Sequence, residues 1–199
     1  MVDALLLGDR TFSELADAAG LPGNAATHHL AVLESVGLVE RRVSEGDRRR
    51  RYISARAERL RGLLQIPSLT PNVVVFVCTH NSARSQFAAA LWRQRTGNVA
   101  ESAGSHPAER VHPLAVRAGR DFGVDLAGAS PQGYDAIAQA PDLVVSVCDR
   151  AHESGVPIEA RSVHWSVPDP VRAGTPAAFH AAFADIAGRI ERLTADPQP

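Results

Sequence analysis

Lysine is absent from this chain. All 21 basic residues are arginine, in a sequence rich in Ala, Gly and Pro, which reads as the codon bias of a GC-rich genome rather than as a physical requirement. Cysteine is nearly absent too. The two present, Cys78 and Cys148, exclude a disulfide framework, and neither sits in the paired spacing of a zinc site. No metal is expected, and in a reducing compartment both are free thiols. No apolar run approaches the roughly 18 residues of a membrane span, and no basic-then-apolar leader opens the sequence. A cytoplasmic location without a membrane partner is the expectation. Net charge of −1 excludes a global attraction to nucleic acid. The arginines are uneven, however: nine fall between Arg41 and Arg61. Apolar content of 45% against 22% charged leaves enough material for a buried core and argues against wholesale disorder.

Residues 3 to 40 carry helical periodicity in "DALLLG", "TFSELADAAGL" and "NAATHHLAVLESVGL", which predicts three short helices with Ala26, Leu30, Leu33 and Leu38 as core positions. "GLPGN" supplies the turn before the third, with Asn24 as its N-cap. Next, "LVERRVSEGDRRRRYIS" alternates on either side of the turn signal "SEGD" and predicts an arginine-rich β-hairpin. Together these make a winged helix-turn-helix. One more helix is expected from Arg56 to Gln65, ended by the prolines of "IPSLTPN". That places a winged helix-turn-helix domain at 1–66 and a second domain at 71–199.

In the second part strands alternate with helices. "NVVVFV" is a buried parallel strand followed by a helix in "SQFAAALWRQRT". Further strands are expected in "VAESAG", "DLVVSVC" and "ARSVHWSV", with helices near Pro113 to Phe122, Tyr134 to Gln139 and Pro176 to Leu193. The fold class is α/β, a doubly wound parallel four-stranded sheet. Ligands bind outside the carboxyl ends of such strands, where both cysteines fall.

A loop from strand to helix aims backbone N–H groups at one spot, and the helix N-terminus adds positive charge, so "CTHNSARS" is suited to a tetrahedral oxyanion. Thr79, His80, Asn81, Ser82, Ala83 and Ser85 would surround it. Cys78 is expected as a thiolate nucleophile with a lowered pKa. Arg84 would hold two oxygens of the anion through its planar guanidinium. Ser85 would donate to the thiolate, Asn81 would tie the loop backbone, and His80 would add charge or a hydrogen bond. Asp169, between Pro168 and Pro170, can supply the proton that a leaving oxygen needs. Cys148, at the end of a neighbouring strand, would come within reach of Cys78, and a second thiol there suits redox chemistry.

Over roughly residues 3 to 60, "FSELADAAGLP", "THHLAVLESVGLVERR" and the basic hairpin resemble the arsenical-resistance repressor (ArsR-type) family of winged-helix regulators. The resemblance implies that Asn24, Thr27, His28 and His29 enter the major groove and that Arg48, Arg49, Arg50 and Arg51 meet phosphates. No cysteine stands on the second helix, where many members sense metalloids. Over roughly 72 to 195, "VCTHNSARS", "ESAGS", "VVSVCD" and "HWSVPDP" resemble the low-molecular-weight tyrosine phosphatase family, which contains phosphatases and arsenate reductases. On the matching residues the resemblance implies Cys78 as nucleophile, Arg84 as oxyanion clamp and Asp169 as general acid. Phosphatases of that family usually carry tyrosines after the Asp-Pro pair. Here Val171 and Arg172 follow, which suits a bare anion, arsenate or phosphate, better than an aryl ester.

Reductases with an internal relay have a third cysteine soon after the second, and "DRAHESGVP" has none. Either Cys148 closes a disulfide with Cys78, or a small thiol such as mycothiol attacks the adduct, as in reductases of GC-rich actinobacteria that the chain resembles. No bound cofactor is expected; the reductant would be external, mycothiol with mycoredoxin or thioredoxin. The expected function is a thiol-dependent arsenate reductase fused to a DNA-binding domain. The alternatives are a transcriptional regulator whose phosphatase-like domain only senses an oxyanion, and a protein tyrosine phosphatase. Expected partners are the anion, DNA, a thiol redox protein and a second copy in a homodimer.

Overall fold

A computed structural model describes residues 1–56 and 71–194. The helix expected to run on from Arg56, and the domain boundary after it, fall outside the described residues. The N-terminal unit runs α1 (Val2–Leu5), β1 (Arg10–Thr11), α2 (Phe12–Ala19), α3 (Gly23–Ser35), β2 (Val39–Val43) and β3 (Arg51–Ala55). Its three strands pair antiparallel in the order β1-β3-β2. Thr11 and Glu14 start α2 with a reciprocal capping box, which satisfies two amides that a helix start leaves open. Gly20, left-handed at φ 61°, ends it, a conformation glycine adopts without a Cβ penalty.

The cap of α3 differs from the sequence reading. Pro22 is the N-cap, and Asn24 lies in the first turn, its Oδ1 accepting from Ala25 N–H at 2.8 Å. Proline presets the entry of the chain into the helix and has no N–H of its own to satisfy. Ala26 and Leu30 are fully buried, and Leu30 joins Leu5, Leu15, Val39 and Ile53 in a small core that Leu33 flanks.

The C-terminal unit contains β4 (Val73–Cys78), α4 (Arg84–Thr96), β5 (Val99–Gly104), α5 (Pro113–Asp121), a 3₁₀ turn (Tyr134–Ala136), β6 (Leu143–Ser146), α6 (Asp149–Glu153), β7 (Arg161–His164), α7 (Pro170–Ala173) and α8 (Pro176–Thr194). Its four strands are all parallel in the order β5-β4-β6-β7. The strand period of two divides β4 between two cores. Val74, Phe76 and Cys78 face a large cluster with Phe87, Trp92, Phe183 and Ile190, where Phe87 stacks on Phe183 at 3.9 Å between centroids. Val75 and Val77 face a smaller one flanked by Tyr134 and Ile137.

The helix expected over Tyr134 to Gln139 is only a single 3₁₀ turn, because Ile137 turns extended to pack on that second face. The Glu101 carboxylate then accepts the Ala138 and Gln139 amides at 3.1 to 3.3 Å. Those bonds replace the intrahelical ones that the segment gives up.

The two units are bonded through buried polar groups. Asp9 N–H donates to His164 O at 2.7 Å, and the Asp9 carboxylate accepts from Ser166 N–H at 2.6 Å and from Arg189 Nη1 at 3.1 Å. Trp165 Nε1 donates to Leu7 O at 2.9 Å. The turn of the β2–β3 hairpin docks on α6: Ser44 Oγ and Asp47 N–H both donate to Glu153, at 2.6 Å each, while Glu45 N–H donates to Asp149 Oδ2 at 2.8 Å. A side chain at Gly46 would run into Glu153 and the Arg150 backbone. The Glu153 carboxylate would have to shift to admit a side chain there.

Candidate active site

The chain leaves the C-terminal end of β4 at Cys78 and passes through residues 79–83 into α4. In that loop the carbonyls of Thr79, His80 and Ser82 turn outward to accept from the amides of His106, Ala108 and His112 at 2.8 to 2.9 Å. Because each peptide is planar and trans, an outward carbonyl places the next residue's N–H on the opposite side. Asn81 N–H accordingly donates to Cys78 Sγ at 3.2 Å.

Asn81 holds the turn with φ 48°, alone among the described non-glycine residues in having a positive φ, and asparagine tolerates that region better than most. Its side chain is bonded at both ends. Nδ2 donates to Ser85 Oγ at 2.8 Å, and Oδ1 accepts from Gln86 Nε2 and Gln132 N–H at 2.9 Å each. Ser85 Oγ in turn lies 3.0 Å from Cys78 Sγ. Gly104, opposite Cys78 in the β4–β5 register, could not carry a Cβ, which would stand 2.6 Å from Thr79 O. His80 is exposed at the rim, with Nδ1 3.1 Å from His106 O.

Arg84 opens α4 and is 6% exposed. Its Nη1 donates to Val167 O at 2.7 Å, and Nη2 lies 3.3 Å from Asp169 Oδ1. Asp169 caps α7, its Oδ1 accepting from Val171 N–H at 3.1 Å. Nucleophile loop, guanidinium and carboxyl therefore meet at one end of the sheet. Cys148, the N-cap of α6, lies beside them, its Sγ 3.2 Å from Thr79 Oγ1. The neighbouring positions of β4 and β6 in the sheet bring the two cysteines to the same end.

One expectation is corrected. Burial pushes the Cys78 thiol up rather than down; the Arg84 charge opposes this, the nearness of Cys148 adds to it, and the Ser85 hydrogen bonds do not reverse it. The thiol is 3% exposed, and taking a thiolate out of water outweighs the attraction of a guanidinium that is already paired to carboxylates.

The residue that sequence reading missed is Glu45, in the hairpin turn. Its Oε2 lies 3.3 Å from Arg84 Nη1, and its Oε1 accepts from Asp169 N–H at 2.5 Å. "SEGD" signalled only a turn, and nothing local could have linked it to a loop near residue 80.

Asn24, Thr27, His28 and His29 are exposed on α3, and Arg48, Arg49, Arg50 and Arg51 are exposed in the hairpin. Arg49 is tied to Asp47 at 3.0 Å, with Arg50 3.9 Å from the same carboxylate.

Residues 73–197 match the family described as low molecular weight phosphotyrosine protein phosphatase. The chain belongs to that family. Residues 5–42 match a helix-turn-helix domain family, so the phosphatase-family fold here follows a second, different unit. An arsenate reductase of Brevibacillus brevis is 34% identical over 125 residues, which span 60% of this chain and 92% of that one. The crystal structure of an arsenate reductase from Archaeoglobus fulgidus superposes with a TM-score of 0.53 at 32% identity, over 60% of this chain and 97% of that one. A tyrosine phosphatase from Escherichia coli K30, solved with sulphate, superposes at 0.56 with 22% identity, over 62% of this chain and 96% of that one. At that identity the likeness is one of fold.

Proposed function

We infer that this low-molecular-weight phosphatase-family protein is a thiol-dependent arsenate reductase joined to a DNA-binding winged helix-turn-helix. The observation that carries the reading is a second thiol at the oxyanion loop, Cys148 Sγ lying 3.2 Å from the side chain of Thr79, the residue after Cys78. Hydrolysis of a phosphate ester needs one thiol, whereas a two-electron reduction needs two. The arsenate reductase names of the relatives described above support the same choice.

In the proposed reaction Cys78 gives its proton to an oxygen of the incoming arsenate, and the thiolate attacks arsenic(V). An oxygen leaves as water, with Asp169 supplying its proton. Arg84 and the loop amides hold the remaining oxygens. A second thiolate then attacks Cys78 Sγ. A sulfur–sulfur bond forms, the sulfur–arsenic bond breaks, and its electron pair stays on arsenic, which departs as arsenite in the trivalent state. Two thiols are oxidised to a disulfide for each arsenate reduced.

The second thiol is Cys148 or a small thiol from solution, and one experiment separates them. Arsenite release is measured with thioredoxin and its reductase, and separately with mycothiol and mycoredoxin, for the native protein and Cys148→Ser. We expect turnover with at least one donor. Loss in Cys148→Ser would assign it as the resolving thiol, and retention with mycothiol would assign the external route. No arsenite with any donor, together with hydrolysis of p-nitrophenyl phosphate, would overturn the reductase in favour of the phosphatase reading.

The exposed face of α3 and the arginine-rich hairpin support DNA binding by the N-terminal unit. Phosphate contacts release counterions, so each arginine that meets a phosphate steepens the fall of affinity with salt. Arg50→Ala and Arg51→Ala are each expected to lower the magnitude of the log–log salt slope by about one and to weaken all sequences alike. His28→Ala, at the base-reading face, should instead change the preference among sequences. An unchanged slope in both arginine variants would remove the hairpin from the interface.

A further inference from the structure

The oxyanion loop is covered from outside its own unit. Ser44, Glu45 and Asp47 anchor the hairpin turn to Asp149 and Glu153 on α6, and Arg150 Nε donates to Glu45 O at 3.4 Å. This anchoring delivers the Glu45 carboxylate to the mouth of the site. There it meets the Arg84 guanidinium at 3.3 Å, which a bound oxyanion would also meet, and the Asp169 N–H at 2.5 Å, on the residue proposed as general acid. Both N–H groups of Arg84 Nη1 thereby have partners, Val167 O and Glu45, while Nη2 lies against Asp169. A carboxylate and a phosphate-like anion present the same thing to a guanidinium, a pair of negative oxygens.

We propose that the Glu45 carboxylate is an internal competitor for the oxyanion at Arg84, so that the docked position of the hairpin turn and occupancy of the loop exclude each other. Two independent features point this way. Arg84 Nη1, one of whose N–H groups is held by Val167 O, can turn its other to an anion only when Glu45 withdraws. The turn is also anchored there, since Ser44, Glu45 and Asp47 bond to α6 and Gly46 lies close against the Glu153 carboxylate. The consequence is a linkage: an anion in the loop drives the hairpin off, and anything that pulls the hairpin away frees the loop for the anion. Because Arg48 to Arg51 belong to the same hairpin, the proposed oxyanion site and the proposed DNA-binding surface share one moving part. This inference rests on anion binding by the loop and not on arsenate turnover.

The test uses the full chain and three probes: phosphate, sulphate and arsenate without a thiol donor. Alkylation of Cys78 by iodoacetamide, followed by peptide mapping to separate it from Cys148, gives the anion concentration that protects the thiol by half. Glu45→Gln keeps the shape and removes the charge; Glu45→Ala removes both. The remaining anchors at Ser44 and Asp47 keep the turn in place, and melting curves check the fold. The expected result is protection at about tenfold lower anion concentration in both variants, within the usual range of coupling between sites. Equal protection in native and variant proteins would overturn the proposal.

A nearby negative charge could weaken anion binding without being displaced, so a second readout is needed. Hydrogen exchange of residues 44–50 should accelerate in the native protein on saturation with phosphate, because the Glu45 and Asp47 amides lose their carboxylate acceptors. Unchanged exchange there, with the loop itself protected, would also overturn it. A protein that fails to reduce arsenate but shows both effects would retain this inference and lose the reductase reading.

Discussion

Cys78→Ser is expected to release no arsenite above background under any donor, whereas Arg84→Lys should lower kcat/KM by about 10²- to 10³-fold, the usual effect of removing one preorganised oxyanion donor. The two losses differ in kind. Serine can present an oxygen to arsenic, but no sulfur–sulfur bond can then form, so the electron pair has no route to arsenic and reduction stops entirely. Lysine keeps the charge and loses the planar fork. In the native site that fork spans Val167 O on one side and the Asp169 carboxylate on the other. A single ammonium cannot hold both and an anion as well. Steady-state arsenite release for the three proteins, with anion protection of Cys78 measured in Arg84→Lys, separates binding from chemistry. Retained turnover in Cys78→Ser would remove Cys78 from the reaction.

Much of the site was legible because its parts are local. The Cys78 loop, the Asn81 and Ser85 hydrogen bonds and the start of α4 all lie within one stretch of sequence, and strand-loop-helix grammar fixes how such a stretch folds. Cys148 and Asp169 were legible at one remove, since parallel strands bring their carboxyl ends together. Two things were not. The helix expected over Tyr134 to Gln139 fails because Ile137 turns extended to pack on the second core while Glu101, on a neighbouring strand, takes up the amides given up, and no helical period records partners so far away. Glu45 was missed for a related reason. It lies 39 residues before Arg84, in a turn whose composition explains itself. The Cys78 thiol was expected to be lowered by the helix start and Arg84, but its burial in the core of the C-terminal unit prevails.

The largest loss of stability is expected from a residue that no motif marked. Asp9 is buried, and its carboxylate holds Arg189 and the Ser166 amide across the junction of the two units. Although burial opposes it, the Arg189 charge and hydrogen bond keep the Asp9 carboxyl below its ordinary value of 3.8. Removing one partner of such a pair leaves an uncompensated buried charge, worth about 3–5 kcal/mol. Arg189 keeps Asp185 at 2.8 Å on its Nε side, so Asp9→Ala should fall toward the lower end, about 3 kcal/mol, or on the order of 10 °C in Tm. Asp9→Asn retains an acceptor for the Ser166 amide and removes only the charge, and should lose less than Asp9→Ala. The pH dependence fixes the cause. A carboxylate whose pKa is depressed on folding contributes stability that is present above its unfolded pKa and is lost as pH falls through its folded one. The gap in stability between the native protein and Asp9→Asn should therefore be constant above about pH 5 and close as pH falls below 3.8. Urea unfolding across that range measures it, and a gap that persists at pH 2 would mean that Asp9 acts through packing rather than through its charge.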